Sequence, residues 1–121
     1  MDARRTRGNA AEDAAAACLE RAGLRVVARN VRLPEGEIDL VCRDRDAWVF
    51  VEVKARRAGW DDGPAAAVTA AKRARLVRLA QHYLKWKARP DARCRFDVVA
   101  VIMDRGGVTD VRHLPAAFDA S

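Results

Sequence analysis

The stretch that decides the fold is GEIDLVCRDRDAWVFVEVKA, residues 36–55. Two apolar-rich runs flank the polar triplet Asp44-Arg45-Asp46, which predicts two strands, Glu37–Arg43 and Ala47–Ala55, joined by a tight turn. With the turn centred between Arg45 and Asp46, Ile38 opposes Val53, Leu40 opposes Val51 and Cys42 opposes Val49. That face is apolar throughout, which supports the register. The other face pairs Asp39 with Glu52, Glu37 with Lys54, Val41 with Phe50 and Arg43 with Trp48. It is apolar in its middle and charged toward one end, the pattern of strands covered on both faces. The acids therefore belong to the end of a buried sheet.

Upstream of the hairpin, a helix is expected from Gly8-Asn9 to about Ala22. Asn9 serves as N-cap, Glu12 lies three residues on as in a capping box, and Gly23 ends the helix. Leu24 to Val31 reads as a strand, and Pro34-Glu35-Gly36 as a turn. Downstream, a loop from Arg56 to about Val68 leads to a second helix, capped by Thr69 and running to about Ala88, where Pro90-Asp91 stops it. Arg95 to Met103 is a strong strand, Gly106-Gly107 a turn, and Val108 to His113 a short last strand. The order α-β-β-β-α-β-β predicts an α/β architecture, a mixed β-sheet flanked by helices.

The chain has 121 residues, half of them hydrophobic, enough for one domain spanning 1–121, with 1–7 and 119–121 expected as flexible tails. The net charge of +6 favours polyanionic partners. Cys18, Cys42 and Cys94 are odd in number and show no CxxC spacing. This argues against a disulfide framework or a zinc site and for a reducing, cytoplasmic setting. No apolar run is long enough for a membrane span, and the basic N-terminus has no apolar stretch behind it, so no secretory signal is expected.

The chemistry-bearing residues cluster on the hairpin. Two carboxylates facing each other in a half-buried place repel, which raises the pKa of one or calls for a cation. Lys54 supplies one charge diagonally. A divalent Mg²⁺ or Mn²⁺ would supply more, since these ions take carboxylate oxygens together with water and phosphate. The alternative is a solvated surface ion-pair network. On the first helix Glu12 falls at the edge of the inward face with Ala11, Ala15, Cys18 and Leu19, so it is either a cap or a site residue. On the second helix Leu76, Val77, Leu79, Ala80, Tyr83, Leu84 and Trp86 form one arc, opposed by Arg75, Arg78, His82, Lys85 and Arg89. That basic stripe could track phosphates or be an ordinary solvated face. Lys72 falls on the apolar arc in the first turn, able either to snorkel or to reach the acids or a bound phosphate.

These residues together resemble the PD-(D/E)xK nuclease superfamily, whose fold is restriction-endonuclease-like, and within it the YraN-like family of endonuclease-related bacterial cytoplasmic proteins, similar in core to Holliday-junction resolvases. The resemblance rests on residues 8–12, 36–40, 50–54, Val68-Thr69 with Lys72, 94–99 and the segment 113–118, and spans about Gly8 to Phe118. Ile38 stands where the superfamily carries proline. By resemblance, Asp39, Glu52 and the Val53 carbonyl are metal ligands, Lys54 orients or deprotonates the attacking water, and Glu12 is an outer ligand or water holder. Lys72 then contacts phosphate, alongside Arg75, Arg78 and Lys85 of the basic stripe.

The reaction so implied is Mg²⁺- or Mn²⁺-dependent hydrolysis of DNA phosphodiesters leaving 5′-phosphates, with branched or structured DNA as substrate. A binding module without chemistry is the alternative. A protein-interaction subunit using Trp60 and the 56–68 loop is the third reading. Resolvase-like domains often act as symmetric dimers; a homodimer stays open here, with Trp48 and Trp60 either anchors for it or core residues.

Overall fold

The computed structural model describes residues 3–59 and 69–118, with side chains from Ala10 onward. Two helices and five strands follow one another: α1 Ala3–Arg21, β1 Arg25–Leu33, β2 Gly36–Asp44, β3 Ala47–Arg57, α2 Ala70–Trp86, β4 Cys94–Asp104 and β5 Gly107–Phe118. The strands form one sheet in the order β1-β2-β3-β4-β5. All neighbours are antiparallel except β3 and β4, which are parallel and joined through α2. A parallel pair cannot be closed by a hairpin, so the crossover helix is required by the topology. This mixed sheet between two helices has the element order α-β-β-β-α-β-β that the sequence predicts.

Each helix covers one face. α1 packs Ala11, Ala15 and Leu19 on Leu40, Cys42, Val49, Val51, Val99 and Val101. Its small side chains let it lie close to the sheet. On the other face, α2 packs Leu76, Leu79, Ala80, Tyr83 and Leu84 on Val41, Phe50 and Phe96. Alternate strand residues thus serve opposite cores, as expected for a doubly covered sheet. Phe50 links several rings: Tyr83 meets it edge-on at 5.8 Å and Phe96 stacks on it at 6.0 Å.

Four local expectations are corrected. First, α1 begins at Ala3, so Asn9 lies inside a helix and is not its cap. Gly8 costs such a helix about 1 kcal/mol, too little to end it when good helix formers lie on both sides. Second, Trp86 does not join the apolar arc: it is 66% exposed. It is the last residue of α2 and meets only the edge of the core, through Tyr83 at 5.9 Å.

Third, the β2–β3 ladder follows the expected register from Asp44↔Ala47 to Leu40↔Val51 and then stops. The expected oppositions Asp39–Glu52, Glu37–Lys54 and Ile38–Val53 are not ladder pairs. Fourth, Ile38 packs in the α2-side core while Leu40 serves the α1 side. The shift coincides with Asn30 on the neighbouring strand, whose φ of 52° breaks the side-chain alternation. Asparagine tolerates that conformation better than most residues. At the helix ends, Gly23 with φ 94° terminates α1, and the Thr69 side chain accepts from Lys72 N at 3.2 Å, capping α2 as predicted.

Candidate metal and phosphate site

Where β2 and β3 part, Asp39 replaces the lost ladder contact: its Oδ2 accepts from the Val53 N–H at 2.8 Å. The splay opens the sheet at one point and lets side chains from both faces reach it. From the α1 side comes Glu12, now a mid-helix residue with no capping duty. Carboxylate oxygens of Glu12, Glu37 and Asp39 all lie within 4.8 Å of one another. From the α2 side come Glu52 and Lys54, whose Oε1 and Nζ are 3.1 Å apart. The Lys54 side chain is only 12% exposed, so this pair is less screened than a surface ion pair.

The electrostatics of the cluster are uneven. Burial pushes the Asp39 carboxyl up to about 7, helped by the negative charges of Glu52 and Glu12 and opposed by the Val53 N–H bond. Glu12 Oε2 is buried with no hydrogen-bond partner. Arg29 Nη2 lies 4.0 Å away and also pairs with Asp13. A shielded, unpartnered carboxylate oxygen is costly unless something positive meets it. Lys72, on the first turn of α2, approaches Lys54, and the neighbouring ammonium lowers its pKa. Two lysines therefore converge beside the acids, an arrangement that gains from an anion between them.

The structure thus brings together Glu12, Asp39, Glu52, Lys54 and Lys72. It adds Glu37, which the sequence places opposite Lys54 and not among the candidate site residues. Glu37 also lies 3.8 Å from Arg32. The available signal was its spacing of two from Asp39, which puts both on one side of an extended strand.

Arg75, Arg78 and Lys85 are exposed on α2, but the face is not uniformly basic. Glu35, from the β1–β2 turn, meets His82 Nδ1 at 2.9 Å and also feels the charge of Arg78. Trp48, a candidate dimer anchor, is half-buried against the α2-side core, with Tyr83 edge-on at 5.7 Å. Trp60 and residues 60–68 of the loop proposed as a protein contact lie outside the described residues.

A second polar group escaped the sequence reading. Asp97 on β4 is fully buried. It accepts from Arg95 Nε at 3.0 Å and Nη2 at 3.1 Å, from Ala116 N at 3.0 Å, and meets His113 Nε2 at 2.7 Å. Arg95 also reaches Asp44 at 2.8 Å. The network ties β5 and the end of β2 to β4, and its role is structural. A lone acid inside the apolar run Phe96–Ile102 was the signal, because a buried charge requires partners.

The cysteines are free, with Cys42 buried and Cys94 exposed. Among the described residues no helix is long and apolar enough to cross a membrane.

Comparison with known proteins places these residues in a family. The model described as uncharacterised protein family UPF0102 matches residues 11–101. A UPF0102 protein of Dechloromonas aromatica (strain RCB) is 49% identical over 118 residues, covering 98% of this chain and 95% of that one. Another, from Paracidovorax citrulli, is 50% identical over 121 residues, covering 96% and 84%. A third, from Symbiobacterium thermophilum, is 48% identical over 113 residues, covering 93% and 96%. Among solved structures, SfsA of Pyrococcus furiosus in complex with Ca²⁺ is similar at a TM-score of 0.44 and 16% identity, over 93% of this chain. The chain spans 63% of the length of that protein.

Proposed function

The chain belongs to the UPF0102 family, the YraN-like group that its sequence resembles, and on that premise we propose that it is a metal-dependent endonuclease hydrolysing phosphodiesters of DNA. One observation carries the reading: three carboxylates from two elements converge within 4.8 Å beside the Glu52–Lys54 pair, and one of their oxygens is buried without a partner. The donor set is all oxygen, which suits a hard cation of the Mg²⁺ or Mn²⁺ class. Asp39, Glu52, Glu37 and the Val53 carbonyl would hold it, with Glu12 as outer ligand or water holder. Such an ion supplies an acidified water and positive charge for the phosphate oxygens.

The protein's own groups do the rest. Asp39, locked to the Val53 N–H, keeps its free oxygen in a fixed direction. Lys54, fixed by Glu52, orients the attacking water and offsets charge gathering on phosphorus. Lys72 contacts the phosphate from the first turn of α2. Water adds to phosphorus, the P–O3′ bond breaks, the 3′ oxygen takes a proton, and a 5′-phosphate remains.

Branched, nicked and single-stranded DNA incubated with Mg²⁺ or Mn²⁺ test the reading. Cleavage of at least one, lost in Asp39→Ala and Glu52→Ala, is expected; no cleavage, or cleavage that survives both changes, overturns it. The basic face of α2 favours a second reading, binding without chemistry, which predicts salt-sensitive DNA binding that survives Glu52→Ala and no product under any condition.

A further inference from the structure

At the far end of the hairpin from the acids, the protein carries a second polar hollow. It has a volume of about 450 Å³ and is walled by Arg25, Arg43 and Arg89 around Trp48, with Asp46 at its rim. The volume is that of a small-molecule site. Arg25 and Arg43 are cross-strand partners on β1 and β2, and Arg43 faces Trp48 across the hairpin. The Arg43 guanidinium rests 4.4 Å over the Trp48 ring, which orders it in advance. Arg89 arrives from beyond α2, turned back by Ala88 at φ 58° and held by its N–H to the Leu84 carbonyl at 2.7 Å. Among the described residues no carboxylate pairs with Arg25, Arg43 or Arg89, and Asp46 is turned to Arg93 at 3.6 Å. Three guanidiniums in a concave site without carboxylate partners select an anion. Their planar, multi-donor form suits phosphate and stacks on a base.

A basic stripe lies between the hollow and the acidic cluster. Arg75, Arg78, His82 and Lys85 are spaced three and four apart along α2, and Arg89, past the end of the helix, lines the hollow. Contacts fix the side this stripe takes. Arg75 Cδ lies 3.7 Å from the space a side chain at Gly36 would fill, and His82 meets Glu35; both neighbours belong to the β1–β2 side. Lys72 stands at the start of the path, beside Lys54. Along β3, Trp48 is four residues from Glu52 and six from Lys54, roughly 13–20 Å at strand spacing. That distance corresponds to about four to six nucleotides of a stacked strand at roughly 3.4 Å per nucleotide, and to fewer of an extended one.

We propose that this pocket seats an unpaired nucleotide of the DNA strand whose phosphodiester, a few nucleotides away, lies at the acidic cluster. The proposal rests on the nuclease reading and sharpens it. The substrate is DNA with a single-stranded segment beside the cut, such as a flap or a splayed junction, because guanidinium planes stack on the face of a base that a duplex keeps covered.

The test is binding of fluorescent DNA by anisotropy in EDTA, where no cleavage occurs. A single-stranded 10-mer should bind more tightly than a trimer, a blunt duplex of equal length or a free deoxynucleoside monophosphate. The double variant Arg25→Gln/Arg89→Gln should weaken the 10-mer. Its slope of log affinity against log salt should fall by about 1.4, at roughly 0.7 per phosphate contact on a single strand. A melting temperature equal to wild type verifies the fold of the variant, and Arg43→Lys, which keeps the charge without the planar fork, serves as the second probe. The proposal is overturned if the variants bind the 10-mer as wild type does, or if duplex or mononucleotide competes equally. Binding of this pattern without any cleavage would sink the nuclease reading alone; cleavage with indifferent pocket variants would sink the pocket alone.

Discussion

Replacing Asp39 by Asn should stabilise the protein above neutral pH and do nothing in acid. In the folded chain the Asp39 carboxyl titrates near 7, against an ordinary value of 3.8, because it is desolvated and faces Glu52 and Glu12. Between those limits the folded state holds a proton that the unfolded state has released. Stability therefore falls as pH rises through this window and levels off above it. The shift of about three pH units has a ceiling of roughly 4 kcal/mol at about 1.4 kcal/mol per unit. Water reaching this half-buried carboxyl reduces the expected gain to roughly 1–3 kcal/mol.

Asparagine keeps an oxygen for the Val53 N–H, so the variant loses the charge and not the bond. In a domain of this size the gain reads as a rise in melting temperature of roughly 4–12 °C at pH 8, shrinking to nothing near pH 4. Calorimetry from pH 4 to 8 measures it. An Asp39→Asn protein no more stable than wild type at pH 8, or a gain that does not grow with pH, refutes the assignment of the burial and repulsion to Asp39.

Three further outcomes are expected. Asp97→Ala leaves Arg95 and His113 without their buried acceptor, so urea denaturation should show a loss of roughly 3–5 kcal/mol; a loss under 1 kcal/mol would contradict a structural role. Ala88 closes α2 in a left-handed conformation, so Ala88→Gly should raise stability by about 1 kcal/mol in the same assay, and destabilisation would count against that cap. Lys72 should react with an amine-directed reagent at lower pH than Lys85, because repulsion by Lys54 favours its neutral form. Peptide mapping should show Lys54→Gln cancelling the difference, and equal labelling of both lysines in wild type would contradict the contact.

Much of the fold was legible because the hairpin signals agree with one another. A two-residue turn, with Arg45 at φ 56°, fixes a register, and alternation on both faces fits only that register. The place where the ladder ends was not legible, since a side chain, Asp39, replaces a backbone partner there and no residue type announces the exchange. The same splay explains how Glu12, from the α1 face, meets Asp39, which flat pairing would keep with Glu52 on the other face. For Glu12, spacing left a cap and a site residue open; the length of α1 decides against the cap. Trp86 shows the limit of helical periodicity, which gives a direction around the axis but not where the opposing sheet ends. Asp97 was visible as an acid inside an apolar strand, but its partners Arg95, His113 and Ala116 come together only once β5 folds back.

The acids at the β2–β3 splay are proposed to form a cation site. Calorimetric titration of Mn²⁺ into wild type, Glu12→Gln and Asp39→Asn at pH 8, where Asp39 is ionised, tests this most directly. One saturable site in wild type, weakened in Glu12→Gln and lost in Asp39→Asn, is the predicted result. No saturable binding in wild type, or binding that both variants keep unchanged, would contradict it.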